Sequence, residues 1–338
     1  MMRGREAMFR GHSDMFACLA MSVAALCAAT PGWAFDCARA SSASEKAICA
    51  DPATLKADVE LGKAYQALLA SAPQAERAAI VASEGRWLNS RDGDCADQKG
   101  AELSACLKTA TERRRAFLAG APDAGPGAPG RMAPLIRLEN GRAGKADIDF
   151  EFLTFPAPAS PGERAFNASV AKLSENVVEP EKGAPNADQF AFSRTMRLAY
   201  ASPRFLSAHV DAYEYAGGAH PNSFTANINV DMRLGRELTF ADLLANEAAR
   251  KIFDLCADEV RQQKIDKGET PDEFVDAAEL RKTVEAATGD LKRWSFGAEA
   301  AVIDYDPYSV GAYAEGAFNC SIAYSTLRPL AKPDFPLP

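Results

Sequence analysis

Histidine is scarce in this chain: there are three among 338 residues, at 12, 209 and 220. No Cys-x-x-Cys pair accompanies them, which argues against a zinc site built from the usual donors. No Gly-x-Ser-x-Gly turn occurs, so the common serine nucleophile arrangement is missing. Neither a Walker loop nor a dinucleotide glycine pattern follows a strand-like segment. No apolar run reaches the roughly 20 residues that a membrane helix requires. Positive charge is also in deficit, the formal net charge being −8, and that disfavours a nucleic-acid partner.

What the chain does contain begins with a secretory pattern. Arg3, Arg5 and Arg10 precede an apolar stretch from Phe16 to Ala29, and Gly32-Trp33-Ala34 offers small residues for cleavage. Residues 1–34 are therefore expected to be a signal peptide, with the mature chain starting at Phe35 and carrying no membrane span. A lipid attachment at Cys27 is disfavoured because Leu26, not a small residue, precedes it. The leader carries +1, so the remainder stands at −9, a balance suited to a basic partner. Cleavage leaves Cys37, Cys49, Cys95, Cys106, Cys256 and Cys320, an even set that predicts disulfides in an oxidising, periplasmic or secreted location.

The stretch 119–133 is rich in proline and glycine and divides the mature chain. Residues 119–130 hold almost nothing that could enter a core, so a flexible connection is expected. Four cysteines lie before it and two after it. Cys256 is therefore expected to join Cys320, while the pairing among the first four stays open. The predicted fold is thus a small disulfide-stapled all-α domain (35–118) and an α+β domain (134–338) with a mainly antiparallel sheet.

In the first part, Ser42-Ala43-Ser44-Glu45 has capping-box spacing. A helix follows Pro52 with Leu55, Leu61, Tyr65, Leu68 and Leu69 on one stripe. Another is expected from Gln74 to Arg91, burying Ile80, Trp87 and Leu88, and a last one from near Cys106. In the second part, Ile148, Phe150 and Phe152 mark a strand. Residues 205–210 form a second, which leads into the paired glycines Gly217-Gly218. Ala226, Ile228, Val230 and Met232 then alternate with Asn227, Asn229, Asp231 and Arg233, predicting a strand with a polar outer face. Thr239 is placed to cap a helix from Phe240 to about Lys264. A helix from Pro271 to Trp294 with a break follows, then strands near 301–305 and 318–324.

Residues 35–118 resemble the LprI N-terminal family of small exported helical domains. The resemblance rests on Cys37-Ala38-Arg39-Ala40, Glu45-Lys46-Ala47-Ile48-Cys49, Tyr65, Arg86-Trp87-Leu88-Asn89-Ser90-Arg91-Asp92 with Cys95, and Cys106-Leu107 with Arg113 or Arg114. Gly85 departs from the family's usual Gln. Residues 130–335 resemble the extracellular domain of RsiV-type proteins, through Tyr215 to His220, Asp231 to Gly235, Leu238 to Leu243 and Pro307 to Gly316. Both resemblances imply capture of lysozyme or another basic cell-wall hydrolase, hence binding rather than catalysis. The alternative is a non-catalytic peptidoglycan-binding or cell-envelope accessory module.

The candidate contact residues are Tyr213, Glu214, Tyr215, Gly217, Gly218, His220, Asn222, Asp304, Asp306, Tyr308 and Tyr313, with Tyr305 and Glu315 nearby. Tyrosines provide contact area with a polar tip, and the carboxylates suit a cationic partner. His220 could act as a general base, but a ring following Gly-Gly-Ala serves equally to hydrogen-bond its own loop. A hydrolase would need paired carboxylates, such as Glu214 with Asp304 or Asp306, around one cleft. No cofactor, metal or catalytic residue is expected.

Overall fold

The computed structural model describes residues 36–141, 145–175, 177–181, 189–268 and 277–338. The expected signal peptide, the mature start at Phe35 and the helix onset at Pro271 lie outside the described residues.

Four helices open the described chain: Ala43–Ala50 (α1), Pro52–Ser71 (α2), Gln74–Asp94 (α3) and Gly100–Leu118 (α4). Ser42 and Glu45 form the expected reciprocal cap, the Glu45 amide donating to Ser42 Oγ at 3.1 Å and the Ser42 amide to Glu45 at 2.8 Å. Asp51 caps α2 through the Thr54 amide, with Pro52 in the first turn. Cys37 joins Cys49 and Cys95 joins Cys106, which settles the pairing that spacing left open. Two expectations need correction: α4 starts at Gly100, not near Cys106, and Leu88 is 39% exposed because α3 turns Trp87 and Arg91 inward instead.

A six-stranded sheet follows, in spatial order β1-β2-β3-β4-β5-β6. Its strands are Ala133–Glu139 (β1), Asp147–Thr154 (β2), Ala191–Ala201 (β3), Phe205–Tyr215 (β4), Asn222–Asp231 (β5) and Arg236–Glu237 (β6). All neighbours are antiparallel except β2 and β3, whose parallel pairing is bridged by the helix Pro161–Glu175 (α5). A second, three-stranded antiparallel sheet contains Trp294–Phe296 (β7), Ala300–Tyr305 (β8) and Phe318–Ala323 (β9). Phe240–Leu243 (α6), Asn246–Asp266 (α7), Ala277–Thr288 (α8) and the terminal turn Tyr324–Leu327 (α9) surround it. The helix expected over 240–264 is therefore split at Leu244-Ala245. Trp294, expected to be helical, opens β7, is fully buried and donates its indole N–H to the Thr288 carbonyl at 2.8 Å. Cys256 on α7 joins Cys320 on β9.

Helices and sheet share a core. Leu61, Phe117 and Leu118 belong to the same buried cluster as Phe150, Phe152, Met196 and Val210. A buried polar knot crosses the junction. Arg114 donates to Glu84 at 2.9 Å, to Glu151 on β2 at 2.7 Å and to Ser83 Oγ at 2.6 Å, and Ser83 also contacts Glu151. The guanidinium lies over the rings of Trp87 and Phe117. Burial pushes the Glu84 carboxyl up, opposed by the charge of Arg114. The Pro/Gly-rich stretch is not slack either. The Asp123 amide donates to Leu198 at 2.8 Å, Ala201 to Ala124 at 3.1 Å and Gly127 to Ala201 at 3.1 Å, laying the strap along β3. Gly125 sits at φ 92° with the Ala201 carbonyl where a Cβ would be, so only glycine fits there.

The polar face of β5 is covered rather than solvated, which corrects the expectation. Asn227 donates to Lys292, and Asn229 to Leu291 and Trp294, at 2.8–3.1 Å. Ser207 on β4 accepts from the Phe296 amide at 2.9 Å. The small sheet is thus tied to the large one by side-chain-to-backbone bonds that satisfy buried polar groups.

Thr239 caps α6 as expected, with its amide and hydroxyl both bonded to Asp242 at 2.8 Å. The bidentate hydrogen bond from Arg236, followed by those from Thr239, holds the Asp242 carboxyl well below the usual range. A depressed folded-state value means stability present above about pH 3.9 and lost as pH falls toward the folded value. Asp242→Asn should cost about 1 kcal/mol at pH 7, in keeping with loss of a cap. The gap between variant and parent should narrow as pH is lowered from 7 to 3 in urea titrations; a constant gap at both pH values would contradict this role.

Candidate functional site

Two loops build the candidate site. The β4–β5 loop turns at Gly217 and Gly218, whose φ values of 88° and 109° require glycine. Tyr215 braces the turn by donating its hydroxyl to the Gly218 carbonyl at 3.1 Å. The second loop, 306–317, carries Tyr308 and Tyr313. His220 joins them: its Nδ1 faces the Pro221 carbonyl at 2.9 Å, so that nitrogen carries the proton, and its Nε2 meets the Tyr308 hydroxyl at 3.1 Å. Its ring stacks on Tyr313 at 4.1 Å between centroids, and the Tyr313 hydroxyl donates to Pro221 at 3.1 Å.

The result is an aromatic knob of His220, Tyr308 and Tyr313. Tyr308 is 61% exposed and sits at φ 72°, a strained conformation for a residue with a Cβ. The loop beneath is anchored to α7. Lys264 pairs with Glu315, and Lys267 donates to the Glu315 carbonyl at 2.6 Å while lying 3.7 Å above the Phe318 ring.

The carboxylates do not gather beside this knob. Side chains alternate along β4, so Tyr213 and Glu214 face opposite sides of the sheet. Glu214 lies 3.9 Å from Arg194, which is itself stacked over Phe150. Asp306 is buried as a tie, accepting from the Thr225 amide at 2.8 Å and pairing with Arg293. Asp304 lies beneath, 3.6 Å from His209 Nδ1, and burial pushes its carboxyl up. Glu214 and the Asp304/Asp306 pair thus do not converge on one cleft. Tyr305 is fully buried and shares a 2.6 Å hydrogen bond with Thr288; burial pushes its hydroxyl up. Asn222 is exposed at the start of β5, in register with Glu214.

Sequence reasoning passed over a cleft of about 400 Å³ on the Tyr213 face. Its floor is Ser193 and Thr195 on β3, Asp211 and Tyr213 on β4, and Ser223 and Thr225 on β5, with Pro307 on one wall. The signal was present in the run of small hydroxyl residues at alternating β3 positions. A smaller hollow of about 280 Å³ adjoins it, sharing Phe224 and Pro307 and reaching Tyr308 and Tyr313. Among the described residues, no cluster of His, Cys, Asp or Glu is arranged to hold a metal, and no helix is long and apolar enough to cross a membrane.

These features define a disulfide-stapled helical region joined through a common core to a two-sheet α+β region. Comparison with known families gives the particulars. Residues 37–118 match the model described as lysozyme inhibitor LprI, residues 162–223 that of deacetylase PdaC, and residues 241–325 a family of unknown function, DUF3298. The two candidate loops fall one in each of the latter spans. No functionally curated protein matches the chain. Among solved structures, a DUF3298 family protein from Pseudomonas aeruginosa PAO1 is similar at 16% identity, covering 61% of this chain and 95% of its own, with a TM-score of 0.41. A member of the same family from Bacteroides fragilis shows 15% identity, coverage of 60% and 93%, and a TM-score of 0.40.

Proposed function

We propose that this protein is an exported inhibitor that captures lysozyme, or a related basic cell-wall hydrolase, and acts by binding rather than turnover. The observation that carries this reading is the match of residues 37–118 to the lysozyme inhibitor LprI model, in a region whose four cysteines close two disulfides. The three disulfides among the described residues support a periplasmic or secreted location. The net charge of −8 suits a cationic partner, and the exposed, preorganised ring of Tyr308 supplies an anchor for insertion into a cleft.

Residues 35–338 added to a lysozyme-driven cell-wall lysis assay should suppress turnover at near-equimolar ratio. Undiminished lysis at a large excess of the protein would sink the proposal. Tyr308→Ala should accelerate release about tenfold, the loss of one aromatic anchor. Raised salt should instead slow association, because exposed charges steer over a Debye length of roughly 8 Å at physiological strength. Surface-binding kinetics with circular dichroism as a folding control reads both, and unchanged release from a folded Tyr308→Ala would remove the knob from the interface.

A further inference from the structure

The polar face shared by β3, β4 and β5 is only half covered. Over one half, Ser207, Asn227 and Asn229 are bonded to the backbone of 291–296. Over the other half the second layer stops, and the cleft of about 400 Å³ opens. There the hydroxyls of Ser193, Thr195, Tyr213 and Ser223 point onto one surface, and none is bonded to another described residue. We propose that this cleft is a saccharide-binding site, taking two or three units of a neutral oligosaccharide.

Elimination by chemistry favours that class. A cationic ligand would need carboxylates whose charge is uncompensated, and here each is already bonded to a basic side chain. Asp306 is held by Arg293 and Thr225. Asp211 accepts from His209 at 3.1 Å. Desolvation works against its ionisation, yet the His209 hydrogen bond and the charges of His209, Arg197 and Arg113 hold the carboxyl below its ordinary range. An anionic ligand would meet those two carboxylates. An apolar ligand would strand the hydroxyls on the floor. A neutral polyhydroxylated chain satisfies every constraint. Its hydroxyls can donate to the ionised Asp211 and exchange hydrogen bonds with Ser193, Thr195 and Ser223. Its apolar C–H faces can lie on Tyr213, 42% exposed, and on Pro307, at the edge that leads toward the adjoining hollow. The volume falls in the range of small-molecule sites, about 300–1,000 Å³.

This site needs no protein partner, so it can be tested apart from lysozyme capture. Residues 35–338 are titrated calorimetrically with chitotetraose, cellotetraose and maltotetraose, and with arginine ethyl ester and inorganic phosphate as charged probes. The expected result is one saturable site for at least one tetrasaccharide, the three differing in affinity according to linkage and acetamido groups. Thr195→Val, which replaces an exposed hydroxyl with a methyl, and Tyr213→Ala should each weaken that binding about fivefold or more. Folding is monitored by circular dichroism. Absence of saturable binding by all three sugars at about 10 mM, well above a millimolar Kd, overturns the proposal. Binding of arginine ethyl ester or phosphate alone overturns it in favour of a charged ligand. Sugar binding that is unchanged in both folded variants places it elsewhere and also overturns it.

Discussion

Arg114→Ala should destabilise the protein by about 3–5 kcal/mol, the loss expected when one partner of a buried ionic group is removed. Arg114 is the only cation bonded to both Glu84 and Glu151 among the described contacts, so its removal leaves two carboxylates facing each other in a buried junction. Glu84 would respond by binding a proton, the direction in which burial already pushes it. The loss should therefore be larger at pH 8 than at pH 5. Arg114→Lys should recover little, since one ammonium cannot serve Glu84, Glu151 and Ser83 as the planar fork does. Arg115→Ala, on the exposed side of the same turn, should change stability by no more than about 0.5 kcal/mol. Urea denaturation of the three variants decides the matter, and an Arg114→Ala curve overlying the parent would refute a stabilising knot.

Removal of the Cys256–Cys320 bridge by paired alanine substitution should cost about 4 kcal/mol. The chain-entropy relation gives that figure for the separation of 64 residues and only about 3 kcal/mol for separations of 12 and 11 in the helical region. Both cysteines are also fully buried, joining α7 to β9 within the second core. The loop carrying Tyr313 immediately precedes Cys320 and rests on α7 through Lys264 and Lys267. Loss of the bridge should accordingly loosen the candidate site before it unfolds the protein. Thermal denaturation of the three paired variants tests the ranking; a larger loss from Cys95–Cys106 than from Cys256–Cys320 would contradict it.

Local signals carried much of this architecture. The Ser42–Glu45 cap, the paired glycines and the alternation from Ala226 to Met232 each correspond to a local element in the structure. Helix α5 could have been read from the same kind of cue, for Ser160 and Glu163 repeat the reciprocal cap of Ser42 and Glu45. Strand β3 was harder, because Arg194 occupies an inward position between Phe192 and Met196 and interrupts the apolar alternation. What alternation cannot report is the neighbour on the polar side. Asn227 and Asn229 read as solvated, yet they face backbone carbonyls of a second layer. The relative placement of the candidate residues was equally hidden. Tyr213 and Glu214 are adjacent in sequence and therefore point away from each other in a strand, while Asp304 is engaged by His209 and Asp306 by Thr225 and Arg293, which no local pattern announces.

The strap over 119–130 bears on how the two regions meet a partner. A slack tether would let each region search separately, and the second contact would then gain only the effective concentration that linker length allows. Here the strap is bonded along β3 and the helices are locked to β2, so the spacing between the two regions is set before any encounter. A partner touching both must match one fixed separation. It would gain nearly the whole benefit of bivalence if it did, and almost none if it did not.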